Sequence, residues 1–116
     1  MARYEGSCHC GRVAYEVEAD LGETITCNCS YCQRRGSVLA FTKATNLDLK
    51  SGEEALKEYR FNKRSIQHLF CETCGIEPFA RAGLPDGTPM VALNVRCLIG
   101  VEPTELNSTM FDGRSR

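Results

Sequence analysis

Hydrophobic and polar residues alternate along a short stretch near the start of the chain. Residues 12–19 (RVAYEVEA) place Val13, Tyr15 and Val17 on one face, against mostly polar neighbours. This period of two is typical of a half-buried β-strand. Five further stretches are short, rich in β-branched or aromatic residues and mostly bounded by Gly, Pro, Asn or Ser. They predict strands at residues 37–44, 58–62, 66–71, 76–82 and 90–98. We therefore expect a mainly β protein with antiparallel sheets.

Two connecting segments carry turn or helix signals. Residues 83–89 (GLPDGTP) contain Pro-Asp-Gly, which predicts a hairpin turn between the last two strands. In residues 51–59 (SGEEALKEY), Ser51 and Glu54 have capping-box spacing and good helix formers follow, which allows a helical turn here. No internal repeat or linker interrupts the pattern, and we interpret residues 1–116 as one domain.

Charge and hydropathy argue against several classes of partner. With 14 basic and 15 acidic residues the formal net charge is −1, so no overall positive field attracts nucleic acid or an anionic membrane. No stretch approaches the roughly 18 apolar residues that a membrane-spanning helix needs. The first residues (MARYEGSCHCG) lack the apolar segment of a secretory signal, and we expect a cytoplasmic protein. These features do not predict an oligomeric state.

Eight cysteines are the unusual feature of the composition. In a secreted domain an even number would indicate a disulfide framework, but in a reducing compartment clustered thiols more often bind metal. Seven of them stand in closely spaced groups, Cys8-x-Cys10, Cys27-x-Cys29-x-x-Cys32 and Cys71-x-x-Cys74. Since the chain has only two histidines, any metal site here has to be mainly a thiolate site, which indicates zinc.

The spacing of the cysteines divides them into two candidate zinc sites. A closed structural site takes four protein ligands, usually as two pairs from distant parts of the chain. The first and third groups form such a set, the four-cysteine site: Cys8, Cys10, Cys71 and Cys74. Closing so long a loop should add stability. The remaining group is the three-cysteine site: Cys27, Cys29 and Cys32. Three protein ligands with an open fourth position are the pattern of a catalytic zinc.

Two arginines, Arg34 and Arg35, follow the three-cysteine site directly. Three thiolates around one zinc carry less negative charge than four. With guanidinium groups nearby, the site therefore repels an anionic fourth ligand less strongly. We therefore consider both arginines as candidates for binding substrate, with a solvated loop as the alternative. Gly36 behind them is expected to form a turn with positive φ.

Other reactive side chains have structural interpretations. Cys97 lies in an apolar stretch (ALNVRCLIG) that we interpret as a strand, and we expect a buried, inert thiol. His68 precedes the third group in a strand, where a core or surface residue is commoner than an acid–base catalyst. We expect Glu72 and Glu77 to be solvated carboxylates, although they would lie near the three-cysteine site if the two sites adjoin.

Three motifs occur in the order GSCHCGRVAYEV, CNCSYCQRRG and HLFCETCGI. They resemble the signature motifs of the glutathione-dependent formaldehyde-activating enzyme family, which also includes the centromere protein V relatives. The resemblance extends from about Gly6 to the FDGR sequence near residue 114. It implies a mainly β fold of several coiled antiparallel sheets, the β-tent arrangement, with two zinc ions. By position it assigns the structural zinc to the four-cysteine site and the catalytic zinc to the three-cysteine site.

The named activity of this family joins glutathione and formaldehyde to S-hydroxymethylglutathione, and in reverse it is a carbon–sulfur lyase. The resemblance thus implies a zinc-dependent enzyme that takes glutathione or another small thiol as its partner. Asn28 stands where members often have histidine, and we expect it to point away from the metal. The alternative function is a non-catalytic zinc-binding module, in which a fourth protein ligand or a partner completes the three-cysteine site.

Overall fold

β-Strands dominate the protein, whose computed structural model describes residues 1–61 and 65–115. Within these residues the strands are β1 Ala2–Ser7, β2 Ala14–Ala19, β3 Thr24–Cys27, β4 Leu39–Lys43, β5 Leu47–Ser51, β6 Leu56–Tyr59, β7 Gln67–Cys71, β8 Phe79–Gly83, β9 Pro89–Asn94 and β10 Ser108–Phe111. The described part has one α-helix, α1 (Ser30–Arg35). It also has single 3₁₀ turns at Ala44–Asn46, Glu53–Ala55, Val95–Cys97, Pro103–Glu105 and Gly113–Ser115. The predicted mainly β class is confirmed, and no helix among the described residues has the length and apolarity to cross a bilayer.

The strands of the described residues form two sheets. In the smaller sheet β2 lies between β1 and β5, and the larger sheet has the order β10-β3-β4-β9-β8-β7-β6. Neighbouring strands are antiparallel, as predicted, with the exception of β10 and β3, which pair in parallel. This parallel pair brings the segment after β10 beside the cysteines that follow β3.

Most predicted strands are confirmed with shifted ends. The strand predicted at 58–62 begins two residues earlier as β6, and its last predicted residue, Asn62, lies outside the described residues. Residues 95–97 form a 3₁₀ turn rather than the end of a strand, because the Asn94 side chain accepts a hydrogen bond from Arg96 N at 3.2 Å. The turn predicted at residues 83–89 joins β8 to β9 as a hairpin. Contrary to the prediction, these two are not the last strands of the chain, because β10 follows them.

Side chains from both sheets form the main core, in which Tyr15, Phe79 and Leu93 are fully buried. The rings of Tyr15 and Phe79 meet edge to face, with centroids 5.4 Å apart. A second buried cluster consists of Cys8, Val13, Ala55 and Cys71. Two cysteines of the four-cysteine site are therefore anchored in apolar surroundings.

The segment around Gly52 supports this second cluster. The helical turn allowed by residues 51–59 is a single 3₁₀ turn, and it is preceded by Gly52 at φ 87° without a side-chain cap. Instead of capping the turn, Ser51 Oγ donates to the carbonyl of Arg12 at 3.3 Å. The bare Cα of Gly52 lies so close that an added Cβ would stand 2.2 Å from the same carbonyl oxygen.

We predict that Gly52→Ala lowers the free energy of unfolding by about 3 kcal/mol, because it combines a left-handed backbone with overpacking. Gly87→Ala is the matched control: its φ is 90°, but no atom lies within 4 Å of an added Cβ. Gly87→Ala should therefore cost about 1 kcal/mol. Urea unfolding of both variants measures the difference, and equal losses would contradict a steric role for the Arg12 carbonyl.

Candidate metal sites

The four-cysteine site is assembled from two loops that are distant in sequence. Cys8 and Cys10 lie between β1 and β2, whereas Cys71 ends β7 and Cys74 lies in the turn that follows. Their four Sγ atoms lie within 4.8 Å of one another. The Sγ of Cys10 is 3.6 Å from that of Cys8 and 3.7 Å from that of Cys71. A tetrahedral zinc with Zn–S bonds of about 2.3 Å requires S···S distances of about 3.8 Å, so the geometry fits this ion.

Backbone N–H groups donate to sulfur atoms of this site. Val13 N lies 3.4 Å from Cys8 Sγ and donates to it. Burial opposes ionisation of Cys74, but hydrogen bonds from the backbone of Ile76 and Cys10 lower its pKa to about 6. Metal-binding cysteines have to be deprotonated, and the hydrogen bonds to Cys74 support that state for this residue.

The three-cysteine site is built around the start of α1. Cys27 ends β3, Cys29 is the N-cap of α1, and Cys32 lies in its first turn. Their three Sγ atoms also lie within 4.8 Å of one another. Cys32 N donates to Cys29 Sγ at 3.3 Å, and Cys29 N donates to Cys27 Sγ at 3.5 Å. At the other end of α1, Gly36 has φ 72°, as expected.

The charges of this site also suit a cation. Burial, followed by the neighbouring Cys29 and Cys27 sulfurs, raises the pKa of the Cys32 thiol. Three thiolates this close repel one another unless a cation lies between them. Each of the two predicted cysteine groups could therefore hold a metal ion.

A buried carboxylate, Glu77, links α1 to the strands beneath it. Glu77 is 6% exposed, so the expectation of a solvated carboxylate is wrong for this residue. Tyr31 Oη donates to Glu77 Oε1 at 2.5 Å, and His68 Nδ1 lies 3.2 Å from Oε2. Arg35 Nε adds an ion pair at 3.9 Å. Burial and the bond to Glu77 raise the pKa of Tyr31, which keeps it a neutral donor. Together these partners offset the cost of burying the charge.

The same helix also contacts the turn of the four-cysteine site. The Arg35 guanidinium donates to the carbonyl of Gly75 at 2.8 Å, so the Arg35 side chain links α1 to the turn that contains Cys74. Arg34 is exposed and donates to the carbonyl of Ser30 at 2.9 Å. Glu72 is exposed, as expected, and forms ion pairs at the surface. The adjacent arginines thus differ, because Arg35 is held by protein groups and Arg34 faces solvent.

His68 and Cys97 lie near this cluster. His68 is 5% exposed, as a core residue should be, and its ring centroid lies 4.3 Å from that of Tyr31. Among the described residues its Nε2 has no hydrogen-bond partner. Cys97 is half-buried in a 3₁₀ turn instead of a strand, since Asn94 ends β9. Burial raises the pKa of Cys97 to about 11, which disfavours a reactive thiolate.

An open cleft of about 430 Å³ lies beside α1, lined by Tyr31, Arg35, Tyr59, Phe70 and Gly75. Sequence reasoning missed the roles of Tyr31 and Glu77. The available signal was the i, i+4 spacing of Tyr31 and Arg35, which places both on one face once a helix is assumed. That helix was itself missed, because it has six residues and a cysteine at its N-cap.

We predict that Glu77→Gln lowers the free energy of unfolding by about 2 kcal/mol, because it weakens charge-assisted hydrogen bonds in a buried site. Glu105→Gln, at an exposed position, is the matched control and should change stability by less than about 0.5 kcal/mol. Urea unfolding measures both values. A loss no larger than that of the control would mean that Glu77 does not hold α1 in place.

Most of the chain is similar to known proteins. Residues 3–109 match the family described as glutathione-dependent formaldehyde-activating enzyme, and this range contains both cysteine groups. Among solved structures, the chain is similar to the crystal structure of a Rhodobacter sphaeroides protein, a structural genomics target. The two sequences are 35% identical, the TM-score is 0.79, and the similarity covers 90% of this chain and 99% of the other.

Proposed function

Because the chain belongs to the glutathione-dependent formaldehyde-activating enzyme family, we propose that it is a zinc-dependent carbon–sulfur lyase. In the proposed reaction a small thiol, RSH, adds to formaldehyde to give RS–CH₂–OH. A carbon–sulfur bond forms, the carbonyl becomes a hydroxyl, and the thiol proton ends on that oxygen. In the reverse direction the same bond breaks and formaldehyde is released.

The observation that carries this proposal is the contrast between the two cysteine groups. One offers four sulfur atoms and the other three. We assign a structural zinc to the four-cysteine site and a catalytic zinc, with an open fourth position, to the three-cysteine site. A zinc ion at the latter would act as a Lewis acid that favours the thiolate form of a substrate thiol.

The protein's own contribution is to hold the three sulfur atoms in place. One comes from the end of β3, one from the N-cap of α1 and one from its first turn. The other side of α1 rests on Glu77 through Tyr31 and Arg35. This support limits the movement of the helix that carries the site.

Arg34 and Arg35 are the candidates for binding a substrate carboxylate. Arg35 already contacts Glu77, Tyr31 and the Gly75 carbonyl. The guanidinium group of Arg34 is therefore more available to a substrate than that of Arg35. We predict that Arg34→Ala raises KM about fivefold for glutathione, as expected for one exposed ion pair. KM for the neutral thiol 2-mercaptoethanol should not change. An equal effect on both thiols would mean that Arg34 does not bind a carboxylate.

The proposed activity is tested with the zinc-loaded protein. Because the adduct also forms without a catalyst, the rate with protein has to be compared with the rate in buffer alone. Exchange NMR measures the rate at which glutathione and its S-hydroxymethyl adduct interconvert, and a panel of other small thiols follows. We expect two zinc ions per chain by elemental analysis and exchange faster than in buffer alone. Two zinc ions without acceleration for any thiol would overturn the lyase proposal.

The second candidate function is a non-catalytic zinc-binding module for a protein or other partner. One observation favours it: Gly113 lies against the sulfur of Cys27, which restricts the space around the three-cysteine site. The same exchange experiment distinguishes the two functions, since a module would bind both zinc ions and accelerate nothing.

A further inference from the structure

The segment Asp112–Ser115, which we name the cap segment, lies against the three-cysteine site. The strand before it, β10, pairs in parallel with β3, so that Phe111 stands beside Cys27. The pairing continues for one residue, because Asn28 N donates to the carbonyl of Phe111 at 3.2 Å. The chain then turns at Asp112 into the 3₁₀ turn Gly113–Ser115. The sheet therefore directs the cap segment toward the cysteines.

Asn28 holds the cap segment by both ends of its side-chain amide. Its Nδ2 donates to Asp112 Oδ1 at 2.9 Å, and its Oδ1 accepts from Arg114 N at 2.8 Å. The guanidinium of Arg114 also donates to Gln33 on α1. The amide of Asn28 is thus committed to the cap segment, although the residue lies between two candidate metal ligands.

Gly113 allows the cap segment to touch the site. An added Cβ would stand 2.4 Å from Cys27 Sγ, which is too close unless one of the two atoms moves, and 3.2 Å from Cys29 Cβ, which is a tight contact. The φ of Gly113 lies outside the left-handed region, so an alanine is compatible with its backbone and only the contact matters. A cysteine sulfur that binds a metal is not free to rotate away from such a contact.

We propose that Asn28 and Gly113 determine access to the three-cysteine site by seating the cap segment against it. The cap segment closes the site on the side of Cys27 and Cys29, and a thiol or chelator has to enter beside it or displace it. This inference rests on the metal proposed for that site. The match to the family model ends at residue 109, whereas the resemblance seen in the sequence continues into the cap segment as far as Arg114.

The test measures the rate at which zinc passes from the fully loaded protein to a colorimetric chelator. The four-cysteine site serves as an internal standard, since among the described residues Asn28 bonds to the cap segment and Gly113 lies nearest to Cys27 and Cys29. In Asn28→Ala, which loses two hydrogen bonds, we expect one of the two zinc ions to leave about tenfold faster than in the wild type. In Gly113→Ala the same ion should leave at least as fast as in Asn28→Ala. Release of the other ion should be unchanged. Because both changes unseat the same segment, the double variant should match the faster single variant.

Gly83→Ala is the control, because its added Cβ meets no atom closer than 3.8 Å and its φ is not left-handed. Circular dichroism shows whether each variant keeps its fold. If both variants bind two zinc ions and release them at the wild-type rate, the proposed role of the cap segment is overturned and the proposed function is not affected. Faster release in Gly113→Ala alone would also overturn that role, by showing a local collision with Cys27. A wild-type protein that binds only one zinc would overturn both proposals.

Discussion

Replacing Cys71 with serine should abolish folding. A structural zinc in a small thiolate site contributes roughly 10 kcal/mol, which is comparable with the whole stability of a typical domain. Cys71 is fully buried in the cluster that contains Cys8, Val13 and Ala55. A weakly binding hydroxyl there would leave one corner of the zinc site open and a polar group in apolar surroundings. We also expect the three-cysteine site to be lost, because Arg35 on α1 is held by the Gly75 carbonyl in the same turn.

Circular dichroism and the zinc content of the purified variant measure this prediction. The expected result is a chain without cooperative unfolding that retains neither zinc ion. Cys97→Ser is the matched control, since Cys97 belongs to neither cysteine group, and it should keep the fold and both ions. A folded Cys71→Ser variant with one zinc would mean that the four-cysteine site is not structural.

The cysteine groups could be predicted from sequence because their chemistry is local. Ligands separated by one or two residues are typical of metal-binding knuckles. Once Cys8/Cys10 is paired with Cys71/Cys74, the thiols that remain can be counted without knowledge of the fold. The alternating stretch that forms β2 was predicted for the same reason. The structure brings together the groups that the spacing selected.

The missed elements depend on contacts between distant residues. In β10, Ser108–Phe111, every residue is exposed, so the burial pattern of this strand does not alternate. Its position comes from parallel pairing with β3, more than eighty residues earlier. Glu77 could not be predicted as buried, because its neutralising partners come from α1 and β7. The contact of Gly113 with Cys27 likewise arises only once both segments are folded.

Replacing Cys29 with serine should remove the second zinc and the proposed activity while the fold remains. Cys29 is the N-cap of α1, where its Sγ accepts the hydrogen bond from Cys32 N. Serine is among the preferred N-cap residues, so its Oγ can replace that hydrogen bond and keep the helix. A hydroxyl is a much weaker zinc ligand than a thiolate, and two remaining cysteines do not form a stable site. The substitution therefore separates metal binding from helix formation.

We expect the zinc content to fall from two ions to one and the catalysed exchange of thiol and adduct to fall at least about hundredfold. The urea midpoint should stay close to that of the wild type. Cys29→Ala is the informative companion, because it removes the metal ligand and the helix cap together and should lose about 1 kcal/mol more stability. If Cys29→Ser retained full activity with one zinc, the reaction would not take place at the three-cysteine site. If it unfolded, the second zinc would be structural, and the zinc-binding module would become the better account of the protein.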